Sequence, residues 1–274
     1  MKKLILPVIA VLSLGTASAQ FNLGVSVGYG LGSPGHVLGT NTNLTGTYSE
    51  KNIYGTLGGG VLANVTPGYM FGEHFGIELG LNGFFGSKTM VEETTAPTGK
   101  YEHTQRSTQF RITPAVIVKS GGEKVSVYTR AGLVLPLIGS VKSEIDNQTN
   151  PLSPTMVELT TSGKVALGYT GALGLNVHFG TKFGFFAEIG ATSLRVKSKE
   201  TEIKKYTING NDAMGAMTTS DKQTTYVDEL TSSSNNTSTN PLGFDNSKAT
   251  EELRQIANFS NFFVQVGIKF SFGD

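Results

Sequence analysis

Apolar residues alternate with small or polar residues along eight segments of the chain. In the first segment the apolar positions are Phe21, Leu23, Val25, Val27 and Tyr29, and the residues between them are asparagine, glycine or serine. A period of two places successive side chains on opposite faces of a β-strand. The segment is therefore predicted to be a strand with one apolar face and one small or polar face.

Seven later segments repeat this pattern, so the eight predicted strands cover about residues 21–31, 57–71, 75–85, 107–119, 125–138, 164–179, 183–192 and 261–272. Their apolar faces span about nine to eleven residues, the length that a tilted strand needs to cross an outer membrane. We therefore expect an all-β fold, an eight-stranded antiparallel up-and-down transmembrane β-barrel whose apolar faces meet lipid.

A soluble β-sandwich or lipocalin-like barrel would show the same alternation with its apolar face turned inward. Three features favour the membrane barrel. The opposite face is rich in glycine, short and long connections alternate, and aromatic residues gather near strand ends as in an interfacial girdle. The girdle residues are Tyr69, Phe71, Phe75, Phe110, Phe179, Phe270 and Phe272.

The connections between the strands predict an orientation. Short turns occupy residues 72–74, 120–124 and 180–183, and long polar segments occupy residues 32–56, 88–106, 139–163 and 196–258. Outer-membrane barrels have short periplasmic turns and longer extracellular loops, so both termini are expected in the periplasm. Within the last long segment we expect mobility at residues 231–240, which lack apolar side chains, and a short helix at residues 249–257.

The N-terminal residues predict export. Two lysines precede a short apolar run, and Ala17-Ser18-Ala19 has the form of a cleavage site. The apolar run is shorter than the roughly 20 residues of a membrane-spanning helix. We therefore expect residues 1–19 to be a removed signal peptide and residues 20–274 to be a barrel domain in a Gram-negative outer membrane. Because the chain has no cysteine, a lipoprotein anchor and disulfides are excluded.

Four strand segments carry a resemblance to a known family. Together with the signal peptide and the eight strands, they resemble the small outer-membrane β-barrel family of Bacteroidetes, a porin-type family similar in plan to the barrels of OmpA-type and OmpX-type proteins. The segments are Val65-Thr66-Pro67-Gly68-Tyr69, Arg111-Ile112-Thr113-Pro114, Tyr128-Thr129-Arg130-Ala131-Gly132 and Phe270-Ser271-Phe272. The resemblance implies a fold and no activity. OmpA-type proteins often add a peptidoglycan-binding domain, but only two residues follow the last strand, so no cell-wall tether is expected.

The inward face predicts the interior of the barrel. An eight-stranded barrel is just wide enough for side chains to fill it, and inward glycines would make room for Phe84, Tyr128, Phe186 and Phe263. Unpaired charges in so narrow a space are costly, so the inward charges are expected to form one structural polar network that closes the lumen. These charges are Glu78, Arg111, Arg130, Glu188 and Lys269. A proton or ion path is the alternative.

Two further features concern strand geometry and assembly. Pro67, Pro114 and Pro136 lie inside predicted strands and cannot donate ladder hydrogen bonds, so bulges or bends are expected there. Phe270 and Phe272 end the last strand and resemble the C-terminal signal by which the outer-membrane insertion machinery recognises its clients. Membership of the lipid-facing girdle would explain the same two residues equally well.

No motif in the sequence predicts catalysis. His74 and His178 fall at the predicted periplasmic end, and His36 and His103 fall in loops, where a pairing with loop aspartates is not favoured. No metal-ligand spacing or phosphate-binding loop is present, so no catalytic residue, metal or cofactor is expected. The net charge of +1 argues against a nucleic-acid partner.

Two functional classes remain open. The first is a non-enzymatic surface barrel whose loops serve structural, ligand-binding or adhesive roles. The second is a small-solute channel. In either case we expect outer-membrane lipids, lipopolysaccharide and the insertion machinery as partners, and in the first case an extracellular ligand bound through the loops.

Overall fold

The structure is a computed structural model that describes residues 19–122, 124–180 and 182–272. Most of the predicted signal peptide and its cleavage site lie outside the described residues, as do Gly273 and Asp274. The strands are β1 Ala19–Gly32, β2 Val37–Asn43, β3 Ser49–Tyr54, β4 Gly60–Phe71, β5 Phe75–Gly86, β6 Thr89–Ala96, β7 Gly99–Lys119, β8 Val125–Asn147, β9 Thr155–Gly163, β10 Gly168–Phe179, β11 Phe183–Ser193, β12 Arg195–Ile208, β13 Asn211–Asp212, β14 Gln223–Val227, β15 Thr250–Leu253, β16 Ile256–Asn258 and β17 Asn261–Phe272.

Helical structure in the described residues is confined to two short turns. A 3-10 turn spans Met214–Ala216, and a one-turn helix, α1, spans Thr219–Lys222. Thr218 begins α1 with a capping box, in which its side chain and that of Asp221 each accept from the other's backbone N–H. No helix in this part of the chain is long and apolar enough to cross a membrane.

Eight strands close a barrel. They pair in the ring order β1, β4, β5, β7, β8, β10, β11, β17 and back to β1, and every pair is antiparallel. The closing pair runs from Phe21 opposite Phe272 to Gly32 opposite Asn261. The predicted fold class is therefore confirmed. Residues 72–74 and the neighbouring short turns define the short-turn end of the barrel, and the opposite end is called the long-loop end.

The outer surface of the barrel is apolar and its interior is polar. Val27, Leu173 and Val264 each expose more than half of their surface, whereas Asn22 and Gln265 on the inward face are buried. A soluble barrel would show the reverse arrangement. The apolar face of each strand therefore points outward, as it must in a barrel that faces lipid.

Two predicted strands begin later than expected. The second strand begins at Gly60 instead of residue 57, and the sixth begins at Gly168 instead of residue 164. The alternation predicts that Leu57 lies on the apolar, outward face of the second strand, but Leu57 is buried and only 5% exposed. Leu57 packs with Val134 and Phe259 in a buried apolar cluster at the long-loop end. It is therefore apolar because it belongs to this cluster and not because it faces lipid.

The long connections are mostly strands, where the sequence predicted polar loops. β7 and β8 are 21 and 23 residues long and continue well past the membrane-length segment, and β2, β3, β6, β9 and β12 pair beside them. These extensions are rich in threonine, which favours strands, but also in glutamate and lysine, and both of their faces are partly solvated. The period of two is therefore weak there, and the sequence pattern does not detect the strands.

The predicted helix at residues 249–257 is wrong. Thr250–Leu253 pairs in parallel with β14, and Ile256–Asn258 pairs with the start of β12. Between these strands the Arg254 guanidinium donates to the Tyr226 carbonyl oxygen at 2.9 Å. Helix propensity favours this segment as a helix, but pairing with distant strands overrides a preference that is weak for each residue.

The strand prolines affect the ladder in two ways. At Pro136 the register between β7 and β8 shifts by one residue, which confirms the expected bulge. At Pro67 and Pro114 the ladder omits pairs but the register on either side is unchanged. The ladder is therefore interrupted beside Pro67 and Pro114, and the register shifts only at Pro136.

Candidate functional site

Four of the five predicted lumen charges form two buried ion pairs. Arg130 Nη2 lies 2.5 Å from Glu188 Oε1, and Lys269 Nζ lies 3.1 Å from Glu78 Oε1. The two carboxylate side chains are only 2% and 7% exposed. Strand alternation places all four side chains on the inward face. In the ring, only β10 separates β8 from β11, and only β4 and β1 separate β5 from β17, so the paired side chains meet inside the narrow barrel.

Glu188 is the most connected carboxylate in the interior. Besides Arg130, it accepts a hydrogen bond from Tyr128 Oη at 2.9 Å and another from Gln265 Nε2 at 2.8 Å. Three donors on β8 and β17 therefore stabilise one negative charge, an arrangement that a buried carboxylate requires.

A chain of polar side chains continues from Gln265 around the interior. Gln265 accepts from Asn64 at 2.7 Å, Asn64 accepts from Asn82 at 2.8 Å, and Asn82 accepts from the Thr113 hydroxyl at 2.6 Å. Asn64 also donates to the Ser26 hydroxyl at 3.2 Å. Together with Glu188 and its donors, this polar chain links seven of the eight barrel strands.

Arg111 does not join this polar chain. Its Nε donates to Gln109 Oε1 at 2.8 Å, and its guanidinium lies 4.3 Å from the centre of the Phe84 ring. The Lys269–Glu78 pair also has no hydrogen bond to the Glu188 group among the described residues. The expectation of one network is therefore wrong in this respect: the five charges form two ion pairs and one separate arginine.

Aromatic side chains fill the space beside the polar chain. Phe84 and Phe263 pack with Leu62 and Ala172, and Tyr128 packs with Met70, Ile117 and Phe186 nearer the short-turn end. All four predicted inward aromatic residues are thus in the interior. A Cβ at Gly174 would overlap the Tyr128 ring, and one at Gly267 would lie 2.6 Å from Phe186. The prediction that inward glycines make room for these rings is confirmed.

Two small cavities remain on either side of the polar chain. One has a volume of about 40 Å³ and the other about 20 Å³, and the side chains of Arg130 and Gln265 line both. A cavity needs roughly 10–15 Å³ to hold one water molecule. Each cavity therefore has room for one or a few small molecules of that size.

A larger cavity, the vestibule, lies among the strands of the long-loop end. Its volume is about 530 Å³, and His36, Arg195, Gln105 and Gln255 contribute polar groups to its lining. Leu57 and the neighbouring Val141 belong to the apolar cluster below it. The vestibule is within the size range of small-ligand sites, and no carboxylate is among its described lining residues.

The terminal strand contacts both of its neighbours through aromatic rings. The ring centre of Phe270 lies 5.6 Å from that of Phe183, and the ring centre of Phe272 lies 5.8 Å from that of Phe21. Both phenylalanines are substantially exposed on the outer surface at the short-turn end. Their positions fit a lipid-facing aromatic girdle.

The four histidines make separate contacts. His36 lines the vestibule, His103 lies 3.4 Å from Gln105, His74 contacts the Lys119 carbonyl, and His178 lies 3.3 Å from the Ser126 hydroxyl. Among the described residues no group of three histidine, cysteine or acidic side chains is placed to hold a metal ion.

Comparison with known proteins identifies the family. No curated protein matches the chain. Neisserial surface protein A is similar in structure, with 10% identity, a TM-score of 0.40, and 93% of this chain and 99% of that chain covered. The outer membrane protein OprG from Pseudomonas aeruginosa is similar with 11% identity, a TM-score of 0.47, and 95% and 99% covered. The model of the outer membrane protein beta-barrel domain matches residues 4–212, which is most of the chain, and the chain therefore belongs to this family of outer-membrane proteins.

Proposed function

We propose that the protein is a non-enzymatic outer-membrane barrel with a closed lumen that acts through its extracellular strands and loops. The observation that carries this proposal is the polar chain, which crosses the interior between cavities of about 40 and 20 Å³. The resemblance to the small Bacteroidetes barrels and the removal of residues 1–19 as a signal peptide are parts of the same proposal.

Closure of the lumen follows from the energetics of the buried groups. A conducting path would have to separate Glu188 from its donors or displace Phe84, which is fully buried. Removing a partner from a buried charged group costs about 3–5 kcal/mol. An opening with this cost is populated in fewer than about one molecule in a hundred, so the lumen is closed in its resting state.

Conductance measurements distinguish the closed barrel from the alternative, a small-solute channel. We expect the purified mature protein in planar bilayers to show no discrete conductance steps in potassium chloride. The double variant Phe84→Ala/Phe263→Ala removes both rings from one apolar cluster and serves as the open control. Regular conductance steps from the wild type would support the channel and overturn the closed barrel.

We further propose that the vestibule binds a small extracellular ligand with an apolar part and a negatively charged group. Arg195 and His36 supply positive or hydrogen-bonding groups, and Leu57 and Val141 supply apolar surface.

Naphthalene-2-sulfonate is a suitable probe of the vestibule for protein in lipid nanodiscs, and saturation-transfer NMR detects its binding. We expect Arg195→Gln to weaken binding and Lys199→Gln, an exposed change on the same strand, to leave it unaltered. Equal binding of neutral 2-naphthol would contradict the proposed charge selectivity.

The orientation is part of the proposal, with the long-loop end outside the cell and the short turns in the periplasm. It rests on the rule that extracellular connections of outer-membrane barrels are the longer ones. A broad-specificity protease added to intact cells should cut within residues 231–243, where the chain forms exposed turns, and should spare the turn at residues 180–183. The opposite cleavage pattern would reverse the orientation.

Basic side chains on the outer surface support lipopolysaccharide as a partner. Arg106 and Lys142 are exposed cross-strand neighbours, although like charges in such positions repel each other. Glu144 pairs with Lys88, and the hydrogen bond from Lys88, aided by the charge of Arg106, lowers the pKa of the Glu144 carboxyl. The cluster thus carries a net positive charge that lipid phosphates can neutralise. We expect Arg106→Gln/Lys142→Gln to reduce co-purified lipopolysaccharide, and an unchanged amount would contradict this role.

A further inference from the structure

The interior of the barrel contains more positive than negative charge. Of its five charged side chains, Arg111, Arg130 and Lys269 are cationic, and Glu78 and Glu188 are anionic. Both carboxylates are already engaged, Glu188 with Arg130 and Glu78 with Lys269. One positive charge, that of Arg111, therefore has no carboxylate partner. At the short-turn rim, the inward-facing Lys119 and His178 are only half-buried and supply no negative charge.

Arg111 is buried and incompletely hydrogen-bonded. It is 3% exposed, and among the described residues its Nη2 atom has no hydrogen-bond partner. Gln109 accepts from Nε, and the face of the Phe84 ring interacts with the guanidinium. These neutral partners orient the side chain but supply no full negative charge. A buried charge without a counter-charge destabilises the fold, so an anion beside this guanidinium would stabilise it.

A cavity lies where such an anion would be needed. The cavity of about 40 Å³ is lined by both Arg111 and Arg130, together with amide and hydroxyl side chains, and no carboxylate is among its described lining residues. Several of the neutral groups are already used, because Asn82 donates to Asn64 and Thr170 donates to the Ala191 carbonyl oxygen. The guanidinium N–H groups are therefore the main source of attraction for an occupant.

We propose that this cavity is a binding site for a monovalent inorganic anion of the size of chloride, held by Arg111 and Arg130. One water molecule needs a cavity volume of roughly 10–15 Å³. The cavity volume of about 40 Å³ therefore has room for one such ion and at most a few water molecules. An organic anion with a carbon chain, such as gluconate, is too large. The bound anion completes the charge balance of the interior and acts as a structural part of the closed barrel.

Bromide substitution tests the site directly. Crystals of the mature protein are grown or soaked in bromide, and anomalous scattering locates the ions. We expect a bromide peak in the cavity at hydrogen-bonding distance from Arg111 Nη2. Ordered water there without anomalous signal, in a data set that shows bromide elsewhere, would overturn the proposal. This outcome does not depend on the conductance measurement, so the two proposals can fail separately.

A stability measurement in solution provides the second test. A ligand that binds only the folded state raises the unfolding temperature with its concentration. We expect the wild type to unfold at a higher temperature in sodium chloride than in sodium gluconate of equal ionic strength, because gluconate is too large for the cavity.

The variant Arg111→Gln should abolish this difference in unfolding temperature. Arg106→Gln, which changes an exposed arginine on the same strand, should preserve it. A wild type that unfolds at the same temperature in both salts, or an Arg111→Gln variant that keeps the difference, would overturn the proposal.

Discussion

At the scale of single residues, Glu188 is the carboxylate that makes the most polar interactions in the interior. It accepts from Tyr128, Arg130 and Gln265, so its loss leaves several buried donors without an acceptor. We expect Glu188→Ala to lower the free energy of unfolding by about 3–5 kcal/mol, the usual cost of breaking a buried ion pair. Urea unfolding of the protein in lipid vesicles measures this quantity.

Glu144 provides the matched control for this prediction. It also forms an ion pair, with Lys88, but both side chains are more than half exposed. An exposed pair contributes only about 0–1 kcal/mol, so Glu144→Ala should change stability little. Equal losses for the two variants would show that burial and hydrogen bonding do not give Glu188 a special role.

Glycines on the inward face are predicted to be less replaceable than outward ones. A Cβ at Gly174 would overlap the Tyr128 ring, whereas the nearest atom to a Cβ at Gly171 on the same strand is 3.9 Å away. Overpacking of this kind costs about 1–3 kcal/mol. We expect Gly174→Ala to lower the midpoint of urea unfolding and Gly171→Ala to leave it nearly unchanged. A similar midpoint for both variants would contradict the close packing of Tyr128.

The sequence identified the charged residues of the interior more readily than their neutral partners. A charge such as Glu188 or Arg130 stands out on the inward face of a strand with an apolar outer face. Asn64 and Gln265 do not stand out, because small polar residues occupy that face in any such barrel. Their contact joins positions 201 residues apart and depends on how the strands are staggered around the ring, which the alternation alone does not specify.

At the scale of elements, the membrane determines which strands the sequence predicts well. Lipid requires every outward residue to be apolar, so β10 and β17 show a regular period of two and were predicted to within a few residues. β9 and β12 extend beyond the lipid, where most positions are partly solvated. That constraint is absent there, and the sequence pattern no longer distinguishes a strand from a loop.

The polar segment at residues 231–240 was expected to be mobile, yet the structure gives it defined turns. Asn235 organises them: its Nδ2 donates to the carbonyl oxygens of Asp245 and Ala249, and its Oδ1 accepts from the Asp245 N–H. The backbone of Asn235 also accepts from Glu251 N–H at 2.8 Å. One asparagine therefore ties a segment without apolar residues to the beginning of β15.

Replacement of Asn235 should release this segment. We expect Asn235→Ala to increase the rate of proteolytic cleavage within residues 231–249 several-fold, because at least three hydrogen bonds are lost together. Thr239→Ala, an exposed change in the same turns, is the control and should cleave at the wild-type rate. Limited proteolysis followed by mass spectrometry gives both rates and the cleavage positions. Equal rates would show that the segment is mobile in solution, as its composition suggests.

At the scale of the whole molecule, stability in lipid depends on closure of the ring. β17 pairs with β1 on one side and with β11 on the other, so its removal would expose two strand edges to hydrocarbon. Unpaired backbone groups cannot be satisfied there. We therefore expect a chain that lacks residues 262–274 to be absent from the outer membrane, with fractionation and immunoblotting as the measurement.

The variant Phe272→Ala separates the two roles proposed for the end of β17. Phe272 contacts only Phe21 among the aromatic rings described here, so Phe272→Ala should remove little packing and should fold into lipid vesicles with near wild-type yield. If Phe272 is also part of the signal for the insertion machinery, the same variant should accumulate in the periplasm of cells and be degraded.

Phe179→Ala is the control, because Phe179 is a comparably exposed ring at the same end of the barrel but on β10. Because the girdle role treats the two positions alike, equal surface levels of both variants would leave Phe272 only that role. A selective loss of Phe272→Ala in cells, with normal folding in vesicles, would assign it to recognition.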